Sequence, residues 1–248
     1  MIFKKVIRKA IELAVRIPRV NRILTSALFS QQNALQRIKT NGLLINTVID
    51  VGASDGRWSS IAQKAWPSTA CFLIEANAVH ASSLQQLKSK NSNIDYVIVA
   101  AGDTNGRIYF DAEDPFGGAA SLIPSAGTTS VPVNKIDTLV AERKLEPPFL
   151  VKLDTHGFEI PILRGAEETL KKTNLIVVET YNFKLTSDSL RFYEMCAYME
   201  KAGFRCVDLS GILHRPSDSA FWQMDLYFIP ASNRLFKDNT YDGTGGHD

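Results

Sequence analysis

Cysteine and net charge are both scarce in this sequence. The chain has three cysteines among 248 residues, and no two of them stand at the C-x-x-C spacing of a zinc site or redox pair. An odd number without a framework favours a reducing compartment, so we expect a cytoplasmic protein. The formal net charge is only +2, which gives no reason to expect nucleic acid as a partner.

The first 42 residues lack the uninterrupted apolar stretch of a signal peptide or a membrane span. Basic residues interrupt this region early, at Lys4, Lys5, Arg8 and Lys9. Apolar and basic residues instead follow helical spacing, which predicts an amphipathic helix that ends or kinks at Pro18. The basic face has two interpretations. Either residues 1–22 contact an anionic membrane, peripherally at its inner surface, or the apolar side of the helix covers the neighbouring domain.

Between residues 43 and 230, short apolar segments alternate with helical patterns. The strand candidates are Leu44–Val51, Ala70–Ile74, Tyr96–Ala100, Phe149–Leu153, Leu175–Val178, Phe204–Val207 and Asp225–Ile229. The helical candidates are Ser59–Ala65, Val79–Lys88, Ala166–Lys172 and Ser187–Ala202. This alternation predicts a doubly wound α/β domain with a mostly parallel, seven-stranded sheet. Residues 1–42 form a helical basic extension, and the polar tail at 231–248 is predicted to be disordered.

The first strand leads into a glycine turn that lacks two common nucleotide-binding patterns. The segment Thr47–Trp58 contains neither G-x-G-x-x-G nor the Gly-Lys-Ser/Thr of a P-loop. Gly52 and Gly56 allow a sharp turn, while Asp50 and Asp55 place two carboxylates where a phosphate would be repelled. S-adenosylmethionine suits this turn better, because its sulfonium and ammonium are positive and its carboxylate suits a helix N-terminus.

A further acid, Glu75, ends the second strand candidate. An acid about 20 residues beyond the glycine turn hydrogen-bonds ribose hydroxyls in nucleoside-binding α/β folds. After the third strand, Asp103 could accept from the adenine amine, although an ordinary turn explains Gly102 and Asp103 equally well. A glycine turn plus a surface acid in another α/β protein is the alternative for the whole pattern. The predicted cofactor-binding residues are Asp50, Gly52, Ala53, Ser54, Asp55, Gly56, Trp58, Glu75, Ala76, Ala101, Gly102 and Asp103.

Several segments in this order resemble the FkbM family of methyltransferases. They are Asp50–Gly56, Glu75, Ala101–Asp103, Lys135–Leu139, Lys152–Glu159 and Leu163–Ala166. The resemblance runs from about residue 46 to about residue 230. It implies a class I methyltransferase (Rossmann-like) fold, S-adenosylmethionine as donor, and transfer to an oxygen of sugars, glycolipid or polysaccharide units, or polyketides. The sequence departs from the family at Ser54, which replaces the usual Asn, and at His156, which replaces the usual acid.

Polar residues end the fourth and fifth strand candidates, where we predict the catalytic site. Lys152 and Asp154 share one face of their strand by alternation, and neighbouring strand ends bring Asp154, His156 and Glu179 to one pocket mouth. Methyl transfer to a hydroxyl needs an aligned acceptor and a base that removes its proton. Histidine is the side chain best suited to that task at neutral pH, so His156 is the first candidate, with Asp154 or Glu179 as alternatives.

Structural interpretations compete with these catalytic ones. Lys152 and Asp154 can form an ion pair that orders the strand end, and His156 can simply complete the turn. Asp154, His156 and Glu179 also form a hard-ligand set for a divalent metal, but their spacing is not diagnostic, and we expect no metal requirement.

The segment 111–130 is rich in glycine, serine and threonine, and is either a lid or substrate loop or a disordered excursion. Phe116, Phe183 and Trp222 are candidates for stacking on a sugar, or else packing aromatics. We predict an O-methyltransferase acting on a hydroxyl of a sugar, a glycolipid or polysaccharide unit, or a related metabolite. The alternatives are a non-catalytic binding or scaffold protein with the same fold, and a nucleotide-cofactor oxidoreductase, which the missing G-x-G-x-x-G disfavours.

Overall fold

The computed structural model describes residues 27–114 and 117–241. The strands are β1 (Thr47–Val51), β2 (Ala70–Glu75), β3 (Ile94–Ile98), β4 (Ala100–Ala101), β5 (Gly106–Asp111), β6 (Ala120–Ser121), β7 (Thr128–Asn134), β8 (Phe149–Leu153), β9 (Thr173–Tyr181), β10 (Phe204–His214) and β11 (Phe221–Pro230). The helices are α1 (Gln31–Thr40), α2 (Arg57–Ala65), α3 (Ala81–Lys90), α4 (Ile136–Arg143), α5 (Glu159–Arg164), α6 (Glu167–Leu170) and α7 (Phe192–Lys201). Short 3-10 helices lie at Ala78–His80 and Arg234–Phe236.

Within the described ranges, seven strands form the main sheet in the order β10-β11-β9-β8-β1-β2-β3. The strands from β3 to β9 in this order pair in parallel, whereas β11 is antiparallel to both of its neighbours. The chain proceeds from β1 to β3 at one edge and then crosses to β8, so the strand order reverses between β1 and β8. Ligands bind at the carboxyl ends of the strands at such a reversal. The predicted seven-stranded, mostly parallel sheet is confirmed.

Both faces of the main sheet are buried, because successive side chains of each strand enter different cores. On β8, Phe149 and Val151 belong to one core, which the helices α4, α5 and α7 cover. Leu150 belongs to the other core, beneath α1, α2 and α3. This two-sided burial explains why the central strands are near-continuous apolar runs in the sequence.

Helix α1 packs on the domain rather than standing apart from it. Ala34, Leu35 and Ile38 are buried in the second core, and Gln31 Nε2 donates a hydrogen bond to Asp225 Oδ2 at 2.7 Å. Residues 1–26 lie outside the described residues, so the amphipathic helix expected there stays a prediction. No helix in the described part of the chain combines the length and apolar character that crossing a membrane requires.

A second, four-stranded sheet was not predicted from the sequence. Its order is β4-β7-β5-β6, and β5 pairs antiparallel with both β6 and β7. The described part of the segment 111–130 contains β6 and the start of β7, so this part is not simply a disordered excursion. The strands escaped prediction because β7 is threonine- and serine-rich and largely exposed, so it carries no apolar alternation.

Several boundaries also differ from the sequence prediction. The strand β10 extends from Phe204 to His214, far beyond the predicted end at Val207, because pairing with β11 holds its exposed outer half. Helices α4 and α5 were not predicted as elements. Part of the polar tail for which we predicted disorder forms a short 3-10 helix at Arg234–Phe236, and the Arg205 guanidinium lies 4.2 Å from the Phe236 ring centroid. Residues 242–248 of this tail lie outside the described residues.

Candidate active site

The turn after β1 is shaped by close contact with the end of β8. Gly52 has a φ of +73°, and a Cβ at this position would lie 2.0 Å from the Asp154 carbonyl oxygen. Gly56, with a φ of +79°, packs so closely on α3 that its Cβ would lie 2.5 Å from Leu87 Cδ2. Residues with side chains would open this turn, so the two predicted glycines are required by backbone geometry.

Glu75 stabilises the same turn from the end of β2. Its Oε2 accepts from the Ser54 backbone N–H at 2.7 Å, and its Oε1 accepts from the Asn77 backbone N–H at 2.7 Å. The side chain is buried, but each carboxylate oxygen keeps a second lone pair that can accept from a ligand. The sequence predicted only the ligand contact and missed this structural role.

A cavity of about 190 Å³ lies at the carboxyl ends of β1, β2 and β8. The predicted cofactor residues in its wall are Gly52, Ala53, Ser54, Trp58, Glu75, Ala76 and Ala101, and the predicted catalytic residues there are Asp154 and His156. Residues that sequence reasoning missed complete the wall: Val51, Arg57, Ile74, Asn77, Val99, Ala100, Phe110, Gly118, Ala120, Thr155, Phe158 and Ile162. Most of these are apolar or small, so no motif distinguishes them from ordinary core or loop residues.

Other predicted cofactor residues lie outside the cavity wall. Asp55 forms an ion pair with Arg57 at 2.7 Å, and this hydrogen-bonded partner lowers the pKa of the Asp55 carboxyl. Gly102 packs against Gly165, where a Cβ would lie 1.9 Å from the Gly102 carbonyl oxygen. Asp103 lies in the loop between β4 and β5. These positions give Asp55 and Gly102 structural contacts that the sequence pattern did not distinguish from ligand binding.

Asp50 and Lys152 form a buried polar pair beneath helix α2. They are register partners on β1 and β8, and Asp50 Oδ2 accepts from Ser59 Oγ at 2.7 Å. Burial raises the pKa of Asp50 to about 6, although Lys152 acts in the opposite direction. Lys152 Nζ donates to Asp154 Oδ2 at 2.6 Å, so the ion pair that we considered as the structural interpretation is present.

Lys152 remains a cation in this setting. Burial by itself would lower the pKa of its ammonium, but the carboxylates of Asp154, Asp50 and Asp225 together raise that pKa above its ordinary value. The pKa of Asp154 is lowered, because Lys152 outweighs the effect of burial. The buried lysine therefore holds two strand ends together through charge.

Asp154, His156 and Glu179 converge as the sequence predicted from neighbouring strand ends. His156 Nε2 lies 3.5 Å from Asp154 Oδ1 and 3.5 Å from Glu179 Oε2. The other ring nitrogen, Nδ1, lies 3.2 Å from the Gly118 carbonyl oxygen. His156 has a φ of +51°, so the turn after β8 holds it in the left-handed region.

Glu179 is fixed by two polar neighbours. The Tyr181 hydroxyl and the Gln223 side-chain amide both donate to its carboxylate. Burial raises the pKa of Glu179 to about 8, and the nearby charge of Asp154 adds to this rise. The two carboxyls of the cluster therefore have pKa values displaced in opposite directions.

Three buried polar atoms in the described part of this region have no hydrogen-bond partner. Among the described residues, the buried atoms Trp58 Nε1, Asn77 Nδ2 and Asp50 Oδ1 have no hydrogen-bond partner. Trp58 and Asn77 both line the cavity. A buried donor without a partner costs about 1–3 kcal/mol, so a ligand that accepted from Trp58 Nε1 and Asn77 Nδ2 would remove this cost.

Two of the predicted stacking aromatics contact each other near the cluster. The rings of Phe183 and Trp222 are stacked with centroids 5.4 Å apart, and the Arg215 guanidinium lies 4.1 Å from the Phe183 centroid. Phe116 lies outside the described residues. The pair forms a half-buried aromatic surface beside the ends of β9 and β11.

A glycine turn at the strand reversal and an acid at the end of the next strand are typical of α/β proteins that bind nucleosides. Residues 50–206 match the methyltransferase FkbM domain. The chain therefore belongs to the FkbM methyltransferase family.

Individual relatives are more distant. The chain is 25% identical over 150 residues to the 2-O-methyltransferase NoeI of Sinorhizobium fredii, and the match covers 53% of this chain but only 62% of that protein. Among solved structures, a putative RNA methyltransferase from Pyrococcus horikoshii is 10% identical, with a TM-score of 0.46 over 80% of this chain and 83% of that one. The 1,6-didemethyltoxoflavin-N1-methyltransferase of Burkholderia thailandensis is 11% identical, with a TM-score of 0.45 over 92% of this chain and 88% of that one. At these TM-scores the likenesses carry no argument about this chain.

Proposed function

We propose that this chain transfers a methyl group from S-adenosylmethionine to a hydroxyl of a sugar, a glycolipid or polysaccharide unit, or a related metabolite. Membership of a methyltransferase family supports the reaction class, and the name of the 2-O-methyltransferase relative supports oxygen as the accepting atom. One observation carries the proposal. The cavity with unpartnered donors and the Asp154–His156–Glu179 cluster lie at the same edge of the sheet, and Asp154 and His156 belong to both.

The residues around the cavity fit the donor. Trp58 Nε1 and Asn77 Nδ2 would find acceptors on it, and the remaining lone pairs of Glu75 would accept from its ribose hydroxyls. The unpartnered Oδ1 of Asp50 adds negative charge beneath the turn that lines the cavity. S-adenosylmethionine supplies an activated methyl group on a positively charged sulfur. The anionic groups at Asp50 and Asp154 favour that positive charge.

The chain must then position the acceptor and accept its proton. The oxygens of Asp154 and Glu179 and the Nε2 of His156 supply hydrogen-bond acceptors at the cavity edge. Removing the hydroxyl proton in the transition state is typically worth about 10²–10⁴ in rate. Alignment of the acceptor with the methyl group is the other requirement, and fixed strand ends serve it well.

Calorimetric titration of the full chain with S-adenosylhomocysteine tests the donor site. We expect one molecule bound per chain, and an affinity at least tenfold lower for Asn77→Ala. Asn91→Ala is a matched control, because the Asn91 amide already donates to Gln63 at 3.0 Å and lies outside the cavity wall. Absence of binding to the wild-type chain at millimolar ligand would refute the proposal.

The acceptor class needs a separate assay. Donor carrying a labelled methyl group is incubated with a panel of monosaccharides, oligosaccharides and glycolipids, and label in the product is located by deoxygenated analogues. Loss of labelling with one deoxy sugar identifies the accepting hydroxyl. Labelling of amines but not of any hydroxyl would contradict O-methylation.

Contact of residues 1–22 with an anionic membrane, and a cytoplasmic location, stay predictions. Because α1 packs on the domain, the basic face is better tested by charge reversal than by removing the N-terminal region. A variant with Lys4, Lys5 and Arg8 replaced by glutamate should pellet less with anionic liposomes than the wild-type chain. Equal pelleting of both proteins would eliminate the membrane interpretation.

A further inference from the structure

Three metal-ligand side chains converge at the edge of the cavity, on the ends of β8 and β9. We propose that Asp154, His156 and Glu179 together bind one divalent cation, which orients the acceptor hydroxyl. The second half of this inference rests on the proposed function, whereas the binding site itself does not. It departs from our sequence-based expectation that no metal is required.

The distances from His156 to the two carboxylates suit a shared ion better than direct hydrogen bonds. One ligand atom from each residue lies within 4.8 Å of the other two. His156 Nε2 is 3.5 Å from an oxygen of each carboxylate, which is too long for a good N–H···O bond. Ligands about 2.1 Å from one tetrahedral ion are separated by roughly 3.4 Å, so the observed spacing matches neighbouring ligands of one metal.

The ligands are oriented by groups outside the cluster. His156 Nδ1 lies 3.2 Å from the Gly118 carbonyl oxygen, so the proton of a neutral ring belongs on Nδ1 and the Nε2 lone pair faces the carboxylates. Metal-binding histidines are commonly held this way, by a hydrogen bond from the other ring nitrogen to a carbonyl or carboxylate. Tyr181 and Gln223 hold Glu179 by donating to its carboxylate.

Lys152 leaves one oxygen of Asp154 available to a cation. Among the described residues, Lys152 is the one lysine that is buried. Its Nζ contacts Oδ2 of Asp154. The other oxygen of Asp154, Oδ1, is the one that faces His156. A divalent ion bound at Oδ1 would therefore not displace Lys152 from Asp154.

The cluster is reachable from the cavity. The side chains of Asp154, His156 and Glu179 are 32%, 21% and 13% exposed, and Asp154 and His156 line the cavity wall. Three protein ligands leave coordination positions open for water or an acceptor oxygen. One imidazole with two carboxylates suits a first-row divalent ion, and Mn²⁺ is a fitting probe because it also accepts oxygen ligands.

Titration of the EDTA-stripped and dialysed full chain with Mn²⁺ tests the site, with free Mn²⁺ measured by electron paramagnetic resonance. We expect one Mn²⁺ bound per chain. His156→Ala and Glu179→Gln should weaken binding by at least tenfold, with folding checked by circular dichroism. His214→Ala is a matched control, because His214 is exposed on β10 and outside the cluster, so Mn²⁺ binding should not change.

Equal Mn²⁺ affinity of the wild-type chain and folded His156→Ala would overturn the inference, as would no Mn²⁺ binding to the wild-type chain at millimolar concentration. Calorimetry with S-adenosylhomocysteine in EDTA separates this result from the proposed function. Binding of S-adenosylhomocysteine without a Mn²⁺ site refutes the metal inference alone. A Mn²⁺ site that is lost in His156→Ala supports the metal inference, even if S-adenosylhomocysteine does not bind.

Discussion

The contact between the ends of β1 and β8 leads to a quantitative prediction at Gly52. Two separate effects oppose a side chain there: the backbone has a φ of +73°, and a Cβ would lie 2.0 Å from the Asp154 carbonyl oxygen. Two other glycines each show only one of these effects. Gly203 has a φ of +86° with nothing within 4 Å of a Cβ, whereas Gly165 has a φ of −77° but a Cβ 1.9 Å from the Gly102 carbonyl oxygen.

The magnitudes follow from these geometries. Gly203→Ala should lower the free energy of unfolding by about 1–2 kcal/mol, the cost of a left-handed backbone for alanine. Gly165→Ala should lower it by about 1–3 kcal/mol, because a backbone oxygen must move to make room. Gly52→Ala combines both effects, so we expect a loss of roughly 2–5 kcal/mol, and the upper end of this range is unusually large for a single methyl group.

Urea unfolding followed by circular dichroism gives the three free energies, provided that the m-values agree among the variants. Gly52→Ala should in addition weaken binding of S-adenosylhomocysteine, since Gly52 lines the cavity and Gly203 does not. If Gly52→Ala is destabilised no more than Gly203→Ala, the ends of β1 and β8 do not approach each other as described, and the reasoning fails.

Glu75→Gln should lower stability by about 1–3 kcal/mol and S-adenosylhomocysteine affinity at least tenfold by calorimetry, because an amide cannot accept from both Ser54 and Asn77; unchanged affinity would contradict this. Lys152→Met should lower the free energy of unfolding by about 3–5 kcal/mol at pH 8 and by less at pH 5.5, where the carboxyls that lose their ion-pair partner become protonated. Equal losses at both pH values in urea unfolding would argue against the buried charge pair. Burial raises the pKa of Asp50 from 3.8 to about 6, so the folded chain keeps a proton that the unfolded chain releases. That contribution to stability is complete below about pH 4 and lost as the pH rises past about 6. The free energy of unfolding of Asp50→Asn, relative to that of the wild-type chain, should therefore rise by up to roughly 3 kcal/mol between pH 4 and pH 7.5. A difference that stays constant over this pH range would refute the reasoning.

Much of the fold was readable from local patterns. The central strands are buried on both faces, and such strands appear in the sequence as near-continuous apolar runs. The turn glycines were also readable, because only glycine tolerates the backbone at Gly52 and Gly56. The resemblance to the FkbM family rested on the same segments, which the family match over residues 50–206 confirms.

Local sequence patterns did not predict the strands of the second sheet. Its strands pair mainly with each other and stay exposed on one side, so threonines and serines occupy positions that a buried strand would fill with apolar residues. Pairing between distant segments, and not the local sequence, makes β7 a strand. As a result Gly118, between β5 and β6, reaches His156 without any sequence signal for that contact.

The sequence by itself determined the doubly wound sheet, the glycine turn, the acid at Glu75 and the polar ends of β8 and β9. Only the tertiary structure decided how these groups are used. Glu75 accepts two backbone hydrogen bonds within the turn, Asp55 forms an ion pair with Arg57, and the buried Lys152 forms an ion pair with Asp154. Residue type and spacing specify which hydrogen bonds and charges are available, whereas their partners depend on strand order and register, which bring together residues far apart in the chain.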